Sequence, residues 1–117
     1  MADLNIEQKA KMPQPLRRGD TIAICSPAGP ISEDKVNGAA AVLRNYGWKV
    51  RIMPHTLGRY GNYSGKDSER YDDLAAALTD PEVRAVICSR GGYGVVHLLD
   101  SLDKLDLAAD PKWVVGF

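Results

Sequence analysis

The sequence predicts an α/β domain of three layers, with helices on both faces of a mostly parallel sheet of about four strands and with about three helices. Three observations carry this. Short β-rich runs alternate with segments of helical period from residue 21 onward. The run Ala85-Val86-Ile87-Cys88 is apolar without alternation, as a strand covered on both faces requires. Directly after it, Ser89-Arg90-Gly91-Gly92-Tyr93-Gly94 leads into Val95, Leu98, Leu99 and Leu102 at helical spacing, which makes a unit of strand, glycine loop and helix.

Residues 1–15 are polar, with Lys9, Lys11 and two prolines, and are expected to form a mobile amino-terminal arm; residues 16–117 form the domain. Residues 21–25 are the first strand, stopped by Ser26-Pro27-Ala28-Gly29-Pro30, whose prolines cannot continue a ladder. Ser32 can cap a first helix with Glu33 and Asp34 at its positive end, and Val36, Ala39, Ala40, Leu43 and Tyr46 repeat at helical spacing as far as Gly47. Trp48, Val50 and Ile52 alternate with Lys49 and Arg51, so this second strand has one wetter face and belongs nearer a sheet edge.

Residues 55–66 make a long loop with three glycines and with Arg59, Tyr60 and Tyr63, a length often associated with function. Asp67 or Ser68 can start a second helix whose apolar face is Tyr71, Leu74, Ala75 and Leu78, ended by Asp80-Pro81. Its Glu69, Asp72 and Asp73 read most simply as a solvated face, with Arg70 and Arg84 as partners. After the third strand and its helix, Pro111 precedes a last strand over residues 113–117. An apolar strand there normally feeds a turn and a covering helix, so the chain reads as part of a larger protein.

Composition narrows the function. At 117 residues, 44% apolar and 26% charged, the chain has the balance of one globular domain. Fifteen basic residues against fifteen acidic ones leave no net charge to draw the chain to nucleic acid or to an anionic membrane. Cys25, Cys88, His55 and His97 have no zinc spacing, and no apolar run is long enough for a signal peptide or a membrane span. The simplest address is the cytoplasm, with both thiols reduced and with no metal and no cofactor.

Ligands of open parallel sheets bind beyond the carboxyl ends of the strands, where strand order reverses. With order 2-1-3-4, the loops after strands one and three flank that point. The Arg90-Gly91-Gly92-Tyr93-Gly94 loop can turn backbone N–H groups toward a phosphate, a carboxylate or an oxyanion, or can simply make a tight turn. It has no Gly-Lys-Ser/Thr and no G-x-G-x-x-G, so a nucleotide site is disfavoured. Ser26 and Ser89 stand at strand ends, but neither sits on an elbow of small residues. Cys25 and Cys88 read as small core residues.

Taken in order, Leu16-Arg17-Arg18-Gly19-Asp20-Thr21-Ile22-Ala23-Ile24-Cys25-Ser26-Pro27-Ala28, Arg70 with Asp73-Leu74, Arg90-Gly91-Gly92-Tyr93-Gly94, Leu99, Leu102-Asp103, Pro111-Lys112 and Gly116-Phe117 resemble the amino-terminal part of the LD-carboxypeptidases. This serine peptidase family also contains the microcin C immunity peptidases. The resemblance implies a flavodoxin-like domain of a hydrolase that removes the terminal D-alanine from muropeptide tetrapeptides in peptidoglycan recycling, with a Ser-Glu-His triad and no metal. It implies that the nucleophile comes immediately after Phe117, and that the glutamate and histidine come from a carboxyl-terminal domain. Gly91 or Gly92 would supply half of an oxyanion hole, and Ser26, Pro27, Arg90 and Tyr93 would border the substrate. Arg90 would either reach a substrate carboxylate or brace its own loop. The implied partners are the muropeptide, the chain's own carboxyl-terminal domain and a second copy of the full-length parent. The 117-residue chain, lacking all three triad residues, is expected to be inactive.

Two rival readings are a microcin C immunity type peptidase acting on a peptidyl-nucleotide, and a non-catalytic flavodoxin-like module for a small molecule.

Overall fold

The computed structural model describes residues 12–90, 95, 98–102 and 104–116. Four parallel strands, β1 (Thr21–Cys25), β2 (Lys49–Ile52), β3 (Val83–Cys88) and β4 (Trp113–Val115), lie in the order β2-β1-β3-β4. That is the order expected from sequence, with its reversal between β1 and β3.

Helix α1 (Glu33–Asn45) begins at Ser32, whose hydroxyl accepts from the Lys35 amide. It ends where Gly47 takes the left-handed conformation, φ +97°, which lets its N–H return to the Arg44 carbonyl and its own carbonyl accept from Gly19. Helix α2 (Asp67–Thr79) begins with Glu69 reaching back to the Lys66 amide, and it stops at Asp80 before Pro81. Of the third helical segment, the described residues include the α-helical turn α3 (Leu99–Leu102), and a 3-10 turn follows at Leu107–Ala109.

The two faces of the sheet hold separate cores. Ile24 packs with Val36 and Ala40 of α1, while Ala23, Cys25 and Val86 pack with Leu74 and Ala77 of α2 and with Leu98. Alternation along β1 thus sends Ile22 and Ile24 one way and Ala23 and Cys25 the other. Cys25 and Cys88 are laterally paired in the β1/β3 register. The hydrogen bond between them, together with burial, pushes the Cys25 thiol up, so it stays protonated in the core.

At the amino-terminal end of the sheet the polar groups are paired tightly. Arg84 donates to Asp110 at 2.7 Å, and the buried Lys112 ammonium donates to the carbonyls of Asp80 and Val83 and to Asp110. These two cations hold the Asp110 carboxyl down at about 2. Arg84, read from sequence as a partner for the α2 carboxylates, is therefore spent on Asp110. At the start of β4, the Trp113 indole donates to the Gln14 carbonyl at 2.9 Å, which fixes this part of the amino-terminal arm to the sheet.

Candidate functional site

Two strand-end loops meet at the reversal of strand order. The Ser89 amide donates to the Cys25 carbonyl at 2.8 Å, which continues the β1/β3 ladder one step beyond the strands. There the Ser26 and Ser89 hydroxyl oxygens stand 2.6 Å apart, and Ser26 Oγ is 2.7 Å from the Thr56 carbonyl. A carbonyl only accepts, so the Ser26 proton goes to Thr56 and Ser89 donates to Ser26. Both hydroxyl protons are directed at structural acceptors rather than at a base. Neither serine has the activation that a nucleophile needs.

The loop of residues 26–30 is held through its carbonyls. That of Ser26 accepts from the Ser64 hydroxyl, that of Pro27 from Arg70 at 2.8 Å, that of Ala28 from the Ser64 amide at 2.9 Å and that of Pro30 from Arg90 at 3.2 Å. Arg90 therefore directs one donor at the first loop. Gly91, Gly92 and Tyr93, the other residues expected in the oxyanion and substrate set, lie outside the described residues.

The long loop over 55–66 is the scaffold of this arrangement. Thr56, fully buried, directs its hydroxyl at the carbonyls of Ile24 and Met53, so the loop is fastened to the end of β1. His55 meets Asp73 twice: its amide donates to one carboxylate oxygen at 2.8 Å, and Nδ1 donates to the other at 2.9 Å. The Asp73 hydrogen bond, followed by the charges of Asp73 and Glu69, outweighs burial and raises the His55 pKa. Nε2 faces Glu69 at 3.8 Å. This is a histidine-carboxylate pair aimed at a second carboxylate, which suits a loop anchor rather than a proton relay to a hydroxyl. Tyr60 and Tyr63 exchange backbone hydrogen bonds across Gly61, and with Lys66 they line an open recess of about 490 Å³ at the start of α2.

Arg70 and Asp73 are corrections to the sequence reading. There Asp73 belongs to a solvated face and Arg70 is a partner for its carboxylates; in the structure both are buried, and Arg70 is only 1% exposed. Its Nε donates to the Gly65 carbonyl at 2.9 Å and its Nη1 to Pro27, while it pairs with Asp67 and stacks on the Tyr63 ring at 4.7 Å. The signal was present. Arg70, Asp73, Leu74 and Ala77 are spaced i, i+3, i+4, i+7, so both charged residues fall in the stripe that meets the sheet.

Among the described residues, no group of three or more His, Cys, Asp or Glu is placed to hold a metal ion, and no helix is long and apolar enough to cross a membrane.

Comparison with known proteins places this geometry. The family described as "LD-carboxypeptidase N-terminal domain", peptidase S66, matches residues 22–117. The murein tetrapeptide carboxypeptidase of Pseudomonas aeruginosa is 35% identical over 97 residues, which are 82% of this chain and 32% of that protein. Among solved structures, the muramoyltetrapeptide carboxypeptidase of Oxalobacter formigenes superposes with a TM-score of 0.70 at 33% identity, over 80% of this chain and 31% of that one. The microcin C7 self-immunity protein MccF, in complex with aspartyl sulfamoyl adenosine, does so with a TM-score of 0.75 at 26% identity, over 92% and 33%. The chain spans about a third of the length of the curated relatives it matches. With the α/β order, the opening strand and the match over residues 22–117 all in agreement, the chain belongs to the LD-carboxypeptidase family and carries its amino-terminal domain.

Proposed function

We propose that this domain forms one wall of the active site of a serine LD-carboxypeptidase, which releases the terminal D-alanine from muropeptide tetrapeptides in the cytoplasm during peptidoglycan recycling. The observation that carries the reading is the locking of two strand-end loops side by side at the switch point, through Ser26, Ser89 and Arg90. Carboxypeptidases acting on murein peptides, at 31% and 35% identity, support the substrate class.

In this reading the nucleophile is a serine directly after Phe117, and its base and acid come from a carboxyl-terminal domain. The serine oxygen adds to the amide carbon and the carbonyl electrons move to oxygen; they return as the C–N bond breaks and the amine of D-alanine leaves with the proton taken from serine, and water then cleaves the serine ester, its hydroxyl going to the acyl carbon and its proton to the serine oxygen. An N–H of Gly91 or Gly92 and the one after the nucleophile receive the oxyanion. Ser26, Pro27, Arg90 and Tyr93 border the substrate. Residues 1–117 alone bind without turning over, since the attacking oxygen is supplied from beyond Phe117.

The test is release of D-alanine from a murein tetrapeptide. The expectation is none from residues 1–117, release from the product of the gene read past codon 117, and its loss when the serine after Phe117 is replaced by alanine. A stop codon at that position refutes the catalytic reading. The similarity to MccF supports a second reading, cleavage of a peptidyl-nucleotide. A larger kcat/KM on that substrate than on the tetrapeptide would select it.

A further inference from the structure

Cys25 and Cys88, the two cysteines of the chain, end neighbouring parallel strands and stand opposite each other as a lateral pair of the β1/β3 register. Both lie on the α2 side of the sheet, in the cluster that includes Ala23, Val86 and Leu74, and a hydrogen bond joins the two thiols. They differ in access: Cys25 is fully buried, whereas Cys88 is partly exposed. The pair also lies beneath the strand-end loops. The next residues along the chain are Ser26 and Ser89, whose hydroxyls meet at 2.6 Å, and a Cβ built on Gly116 would lie 4.0 Å from the Cys88 sulfur. The peptidase reading gives neither thiol a task.

Lateral neighbours in a parallel sheet are about 4.8 Å apart, within the Cα span of about 4.4–6.8 Å that disulfides bridge. Their Cβ atoms, at a similar spacing, stand slightly wider than the roughly 3.5–4.5 Å of a relaxed disulfide. Closing the bond has to draw the ends of β1 and β3 together, and a bond held under such tension is readily reduced. The two sulfurs also divide the chemistry. The Cys25 thiol donates to the Cys88 sulfur and lowers its pKa against the effect of burial, so the more exposed sulfur is the one that carries thiolate. An accessible thiolate beside a protonated partner is the arrangement of an attacking and a resolving cysteine.

We propose that Cys25 and Cys88 form a reversible oxidation site, in which a hydroperoxide converts the dithiol to a disulfide across the ends of β1 and β3. The Cys88 thiolate attacks the outer peroxide oxygen, the O–O bond breaks, and the departing alkoxide takes up the proton that Cys88 released. Sulfur has then given two electrons to the peroxide, and Cys88 is a sulfenic acid. The Cys25 sulfur attacks the Cys88 sulfur, the S–O bond breaks, and hydroxide leaves as water with the Cys25 proton. The sum is two thiols and one hydroperoxide to one disulfide, one alcohol and one water. The site uses neither the serine expected after Phe117 nor a carboxyl-terminal domain, so it does not depend on the substrate or on the catalytic reading.

The experiment treats the reduced 117-residue chain with a small excess of hydrogen peroxide, for which the alcohol is a second water, and follows intact mass and peptide maps made without reduction. The expected product is a monomer in which the Cys25 and Cys88 peptides are joined with the loss of two hydrogens, and dithiothreitol restores both thiols. Cys88→Ser should slow the loss of the Cys25 thiol at least about tenfold. Cys25→Ala should leave Cys88 oxidisable but stop it at a sulfenic acid, which dimedone traps. Circular dichroism checks the fold of both variants, and the joined peptides of the unmodified sequence decide the matter without them. Three outcomes overturn the proposal: both thiols survive the peroxide, Cys88 passes to a sulfinic acid while Cys25 stays free, or the bond forms between two chains and a dimer appears on a gel without reducing agent. D-alanine release by the longer gene product is a separate readout, so the two readings fail separately.

Discussion

Arg70→Ala removes a guanidinium whose side chain is fully enclosed and which donates to two backbone carbonyls, Gly65 and Pro27, besides pairing with Asp67. Each hydrogen bond to a charged donor is worth about 1.5–3 kcal/mol, and the two carbonyls stay buried after the substitution. Against this, the variant no longer bears the cost of keeping a guanidinium out of water, several kcal/mol in its own right. Truncations that strip one partner from a buried charged cluster nonetheless come out destabilising by about 3–5 kcal/mol. A domain of this size has about 5–15 kcal/mol in total. The variant should therefore lose a large share of its stability, with a melting temperature lower by about 15 °C or more. The assay is urea unfolding of the 117-residue chain followed by circular dichroism, with Arg70→Lys alongside. Lysine keeps the charge but loses the planar fork, so it should fall between wild type and alanine. A loss below about 1 kcal/mol for alanine at an unchanged denaturant slope would refute the claim that Arg70 braces the first loop.

Other substitutions test the rest of the site. Ser26→Ala strands the buried Thr56 carbonyl and should cost about 1–3 kcal/mol, whereas Ser89→Ala removes only a donor to Ser26 and should cost less; equal or reversed melting shifts would contradict the proton direction assigned to the pair. At Gly58 an added Cβ would lie 2.4 Å from the Ser64 carbonyl oxygen, so Gly58→Ala must displace backbone and should lower stability by about 1–3 kcal/mol, read by calorimetry; an unchanged melting temperature would sink the argument. The His55 pKa is raised in the folded chain, so the contribution of the His55-Asp73 pair is complete below the unfolded value of about 6.5 and is lost as pH rises through the folded one. The urea midpoint should accordingly decline as pH rises above about 6.5, and His55→Asn should flatten that decline.

The sheet order was legible because its cues are local. Prolines and glycines bound each strand, and the unbroken apolar run around Val86 separates a central strand from the alternating β2 near the edge. The site was legible in its loops but not in its supports. Ser26 and Arg90 were picked out by their places at strand ends, yet the residues that hold the first loop and the 55–66 loop, Ser64, Thr56, Asp73 and Arg70, act through contacts distant in sequence. Charge misled most at α2, where arginine and aspartate ordinarily face water. Helical phase, which puts Arg70 and Asp73 in line with Leu74 and Ala77, was the better guide. Lys112 shows the same effect: the carbonyls of Asp80 and Val83 close around an ammonium that no local signal marks as buried.

The carbonyl clamps on residues 26–30 also have a consequence in time. Their donors sit 38, 43 and 60 positions along the chain, at Ser64, Arg70 and Arg90. The loop has no means of taking its shape when β1 first forms; it must wait until α2 has docked and β3 has paired. Contacts of such separation belong to the late part of a folding reaction, after the closure entropy of the intervening chain has been overcome. The wall offered to a ligand is thus among the last parts of the domain to set. Any partial unfolding that frees α2 dissolves it at once, so amide exchange at Ala28 and Gly29 should keep step with exchange in α2 rather than with that of β1.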